Sequence, residues 1–175
     1  MKLEAPTLWA LVHGLVLGGL LFVSFVAGVI ALIDYRFDHL SPEGLRYKYQ
    51  RLLRVVWCAA FLCWFTVISG TYIIYPFYRM VPMQGTEERN SPRSYLLGNK
   101  DTSGWHEFGM EWKEHIGWLS PMVATAVAVV VTSYKSRLSR DEKLRNALLV
   151  LYLLAFLSAL VAGILGTIIS RLAPV

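Results

Sequence analysis

The sequence predicts an all-α fold, a four-helix transmembrane bundle of up-down topology, and three observations predict it. The apolar fraction is 55% and the mean hydropathy +0.47, too high for an ordinary soluble domain of 175 residues. The apolar residues gather into four blocks, at about 8–33, 55–76, 116–134 and 147–169, and a helix needs about 20 such residues to cross a bilayer core. The connections within each pair of blocks are short and basic. The chain therefore reads as one domain, residues 1–175, with a long outer loop over 77–114.

The first block has His13 as its only ionisable side chain. It exceeds a signal-peptide apolar region and no small-x-small cleavage site follows it, so it is expected to stay as an anchor. Pro6 suits an early helix position. Gly14 and Gly18 form a Gly-x-x-x-Gly that permits close approach of a helix or a flat ligand. The connection to the second block opens on Ser41-Pro42, a helix cap followed by a first-position proline. His39 sits there beside Asp38 and reads as solvated. The second block has no charge, and its Cys58 and Cys63 read as small buried hydrophobes.

The two short connections hold ten of the 17 Lys and Arg residues. Basic residues beside spans favour the cytoplasm. Both termini and the long loop are then outside, which in a bacterial inner membrane is the periplasm. Pro82, Gly85, Pro92, Gly98 and Gly104 break the loop into irregular pieces, and 105–114 forms an interfacial helix into the third block. Trp105, Trp112, Trp118, Tyr72, Tyr75 and Tyr78 fit an aromatic belt on that face. No basic stripe interleaved with aromatics points to nucleic acid.

The chemistry centres on two histidines. His13 and His115 stand near the starts of blocks one and three, which run the same way, so the imidazoles lie at matched depth. An intramembrane histidine is a functional-site hypothesis by default. The halves also look alike: His13 aligns with His115, Gly70 with Gly163 and Arg79 with Arg171. Such a repeat, two similar helical hairpins about an axis along the membrane normal, places the imidazoles face to face on the bundle diagonal. The expected shared ligand is one b-type haem, with His13 and His115 on the iron and Gly14, Gly70 and Gly163 beside the flat ring. Arg79 and Arg171 meet its propionates, and Glu111 orients the free nitrogen of His115. His106, Glu107, Glu111, Glu114 and His115 form a second possible site: Glu107, Glu111 and His115 share a helical stripe with some capacity for a divalent metal, although a solvated acidic face is the simpler reading.

On His13-Gly14, His115-Ile116-Gly117, Gly70 and Gly163, the chain resembles membrane-anchored four-helix b-type cytochromes and small four-span bacterial membrane proteins with paired outer-face histidines. That resemblance implies electron relay between a membrane or periplasmic redox partner and the haem. The chain departs from the two-haem versions, which carry further histidines. It shows no nucleophile elbow or phosphate loop, and spans two to four have no charge in their interiors. An electron carrier or a subunit of an oxidoreductase complex fits better than a stand-alone enzyme. The alternative expectation is a cofactor-free structural or assembly subunit of a larger membrane complex.

Overall fold

A computed structural model describes residues 5–36, 41–80 and 91–173. The chain runs through α1 (Ala5–Asp34), α2 (Pro42–Arg79), α3 (Pro92–Leu97), α4 (Lys100–Ser133), α5 (Lys135–Leu138) and α6 (Glu142–Leu172). No strand occurs among the described residues. Helices α1, α2, α4 and α6 are each long and apolar enough to cross a membrane, making this a multi-pass bundle. They pack in a ring in chain order, with α1 closing onto α6, so that α1 and α4 stand diagonally. The 38 residues of α2 extend about 57 Å, well beyond a hydrocarbon core of about 30 Å.

The helix starts follow local chemistry. Ser41 Oγ accepts from Gly44 N at 3.2 Å, with Pro42 at the first position, as the sequence predicts. Ser91 caps α3 the same way, Asn99 Oδ1 accepts from Asp101 N at 2.9 Å, and Asp141 Oδ1 accepts from Leu144 N at 3.0 Å. The Asn99 cap changes one expectation. The helix expected over 105–114 is continuous with the third span and starts earlier, at Lys100, and its early turns find cover. Gly109 and Met110 are buried there, beside Ile169 of α6. Residues 81–90, with Pro82 and Gly85, and His39 lie outside the described residues.

The half of the bundle nearest the two short connections, the turn end, is a dense apolar core. Phe25, Leu32, Leu52, Val56, Val127 and Tyr152 are fully buried. Tyr152 of α6 lies 4.8 Å, ring to ring, from Phe25. It enters α1 at Gly28, where a Cβ would stand 2.6 Å from its Cε1. Hydroxyls knit α2 to α4: Trp57 Nε1 donates to Thr132 Oγ1 at 3.1 Å and Trp64 Nε1 to Thr125 Oγ1 at 3.0 Å. Each interhelical bond of this kind contributes roughly 0.6 kcal/mol in a membrane. Cys63 is buried against Ser120, as expected, but Cys58 is exposed; both are free thiols. The turns are tied together by Tyr35, whose hydroxyl donates to the Lys135 carbonyl at 2.9 Å. Burial, and then the neighbouring Tyr49, raise the Tyr35 phenol above its ordinary range, keeping it a donor.

The opposite half, the loop end, is built differently. Three helices carry π-helical turns there, at Val12–Leu17, Gly70–Ile74 and Trp105–Met110. Such turns often mark functional positions. These contain His13, Gly70 and His106.

Candidate functional site

The loop end brings together the half-buried ionisable side chains His13, His106, Lys113 and Glu114, whereas the buried Arg145 of the turn end is held by the Leu138 and Ser139 carbonyls. His13 of α1 is half-buried and points at α2, with Nδ1 2.8 Å from Ser69 Oγ. Ser69 donates its own proton to the Thr66 carbonyl at 3.0 Å. The hydroxyl oxygen is therefore the acceptor for His13, whose Nδ1 carries the hydrogen and whose Nε2 holds a lone pair. The ring lies on Gly70, where a Cβ would come within 2.9 Å of Cε1, so only glycine leaves room for it.

His115 has the same tautomer and a different place. Its Nδ1 donates to the backbone carbonyl of Glu111 at 2.7 Å. A carbonyl only accepts, so Nε2 is again free; the Glu111 carboxylate, expected to orient this ring, is not the group that does so. His115 is exposed, in a stripe with Glu111, Leu119, Met122 and Val129. Ser120, Ala124, Val127 and Val131 mark the buried stripe of α4, and at 3.6 residues per turn His115 falls opposite it. The two histidines do not face each other across the bundle axis. The expected equivalence of the halves fails at these positions because one imidazole is inside and its counterpart outside.

The α4 side chain that enters the bundle is Lys113. Its aliphatic stem lies on Gly166 of α6, where a Cβ would stand 3.0 Å from Cε, and its charge acts on His13. The glycine contacts are thus His13 on Gly70 and Lys113 on Gly166. Gly163 and Gly14 have open space around them. Arg79 stacks its guanidinium 5.3 Å over the Tyr75 ring, and Arg171 is exposed in the last turn of α6.

Glu114 joins this interior to the rim. Its Oε1 is buried without a hydrogen-bond partner. The carboxylate also lies within hydrogen-bonding reach of the Tyr75 hydroxyl, and its charge acts on Lys113, Tyr78 and His106. His106 sits between Arg93, whose Nε donates to Nε2 at 3.4 Å, and Tyr78, whose hydroxyl is 2.7 Å from Nδ1. Arginine cannot accept, so His106 Nε2 is the acceptor and Nδ1–H donates to Tyr78 Oη. Among the described residues no group of three or more His, Cys, Asp or Glu converges on a metal-sized point. Glu107, Glu111 and His115 are all exposed.

Lys113 is what a sequence reading misses, since it falls before the third apolar block; Glu114 enters that reading only as part of an acidic face with some capacity for a metal. The signal is present nonetheless. Stepping back from Ala124 through Ser120 and Gly117 by the helical period reaches residue 113 on the same face.

The site offers a buried carboxylate oxygen able to accept, an ammonium beside it, and a neutral imidazole presenting a lone pair. Comparison of the chain with models of known protein families, with curated proteins and with solved structures finds no match, so the functional reading rests on this geometry.

Proposed function

We propose that the chain is a membrane-embedded subunit of a larger complex, and that its loop end receives a donor-bearing group from a partner or small ligand. The observation that carries this is the unpartnered Glu114 Oε1, buried in a bundle interior that also takes in Lys113. An unsatisfied buried acceptor costs about 1–3 kcal/mol, and ionisable groups inside a membrane bundle are by default functional. The loop end faces the periplasm of a bacterial inner membrane, supported by the ten basic residues of the short connections. Gentle detergent extraction followed by mass analysis tests the reading. A partner or ligand should co-purify with the wild type and be depleted from Glu114→Gln; a clean monomer with neither overturns it. A cysteine placed at Arg137 and labelled from outside intact cells overturns the orientation.

Electron relay through a b-type haem is a second reading, favoured by one observation. Both His13 and His115 hold Nδ1 in a hydrogen bond and leave Nε2 free, the arrangement in which outer partners fix an axial ligand. One iron shared by the two inside this chain does not fit, because His115 faces outward. The reading therefore takes a narrower form, with His13 as one ligand and the other supplied by a partner chain. A bound haem would supply one-electron transfer; this chain would hold the His13 ring against Gly70 and Ser69. The test is the absorption spectrum of the complex expressed with haem available. A Soret band lost in His13→Ala and kept in His115→Ala supports this form, and no Soret band in the wild type ends it.

A further inference from the structure

We propose that the turn end binds one anionic phospholipid in the groove between the last turns of α1 and the first turns of α2. The groove is shallow and open to the surroundings, offers about 640 Å³, and is lined by Ile30, Ile33, Asp34, Arg36, Lys48 and Arg51. Its two halves match the two halves of a phospholipid. Ile30 and Ile33, one helical turn apart, are 50% and 47% exposed and turn away from the core. An acyl chain lies along them as it does along any apolar membrane helix. At the polar end, among the described residues, three cations stand against the carboxylate of Asp34.

The geometry of those cations suits a phosphate. Lys48 Nζ donates to Asp34 Oδ1 at 2.9 Å and to the Asp34 carbonyl at 3.1 Å, which fixes the end of α1 against α2. Arg51 Nη1 is 4.0 Å from Asp34 Oδ2, close enough to be oriented and too far for a hydrogen bond. Its planar fork is therefore available for bidentate contact with a phosphate. Arg36 gives Nε to the Ile33 carbonyl at 3.1 Å and keeps its terminal nitrogens uncommitted in that bond. A zwitterionic headgroup would bring its own ammonium into this cluster, so an anionic headgroup is selected. The larger cavity at the other short turn is a different case. Asp141 and Glu142 line it with its cations, and Leu45 is its one apolar residue, so it has no place for an acyl chain.

Native mass spectrometry of the full chain, delipidated in detergent, tests the site. The protein is titrated separately with phosphatidylglycerol and with phosphatidylcholine of the same acyl chains. One phosphatidylglycerol should be retained under activation that strips phosphatidylcholine. Arg51→Gln should weaken that retention about fivefold, and Arg36→Gln with Arg51→Gln about twenty-five-fold, at roughly one factor of five per cation near a membrane surface. Arg46→Gln, which removes an α2 charge outside the groove, should change nothing. Arg36→Gln alone, at an exposed position beyond the end of α1, gives the fivefold test if Arg51→Gln fails to fold. Equal retention of the two lipids overturns the proposal, as does an equal loss in Arg46→Gln and Arg51→Gln, which would mean diffuse charge. Displacement of the lipid by millimolar inorganic phosphate would identify a free-anion site and overturn it too.

Discussion

The two ends of this bundle solve opposite problems. At the turn end, aromatic and aliphatic side chains fill the interior to near-zero exposure, regular helices meet, and each buried hydroxyl or indole N–H that knits α2 to α4 has a partner. At the loop end, three helices widen into π-helical turns, glycines admit an imidazole and an ammonium stem, and one carboxylate oxygen is left without a partner. The first arrangement maximises contact among groups that need nothing from outside. The second holds polar groups where water is scarce, which costs stability and is retained where those groups act on something. The difference separates the part of the chain that holds the fold from the part that uses it.

The largest expected effect tests the turn end. Tyr152→Ala removes a buried ring from Phe25 and Gly28 and should lower stability by about 3–5 kcal/mol, the range for truncating a core aromatic. His13→Ala removes one hydrogen bond at the loop end and should cost about 1 kcal/mol. Reversible unfolding in mixed detergent micelles compares them, and equal losses would break the contrast between the ends.

The next effect has the opposite sign. Glu114→Gln replaces a half-buried carboxylate, one oxygen of which has no hydrogen-bond partner, by a neutral amide and should raise stability by about 1 kcal/mol while emptying the site, the usual trade at functional positions. A loss of stability would mean that Glu114 is structural. Glycines then sharpen the comparison within the loop end. Gly70→Ala should lower stability by about 1–2 kcal/mol, since its methyl displaces His13. Gly163→Ala meets open space and should gain at most about 1 kcal/mol from helix propensity. If both behaved alike, the two hairpins would be equivalent after all.

The smallest effect is a pH dependence at the turn end. The backbone N–H of Leu144, and then Arg137, hold the Asp141 carboxyl below its ordinary value. The folded value is the lower one, so this contribution is present above the unfolded pKa of about 3.9. It is lost as pH falls through the folded value. Asp141→Asn keeps a capping side chain and removes the charge. Its unfolding midpoint should fall less than that of the wild type as pH drops below about 4, from the unfolded value down through the lower folded one.

The sequence by itself determined the class of this protein. Four apolar blocks can satisfy their backbone groups in a bilayer only as helices, and Ser41-Pro42 marks the start of α2 because capping needs only adjacent residues. The tertiary structure decided which of two nearby polar residues entered the bundle. His115 and Lys113 are two residues apart, and a helix turns by about 200° over that interval, so only one can face inward. Matched depth and matched direction, which single out the two histidines, say nothing of rotation about the helix axis. That rotation is fixed by Ser120, Ala124, Val127 and Val131 packing against the neighbouring helices. It delivers Lys113 to Gly166, leaves His115 outside, and puts Glu114 Oε1 under cover because the helix expected over 105–114 continues into α4 and packs on its neighbours rather than lying at the interface.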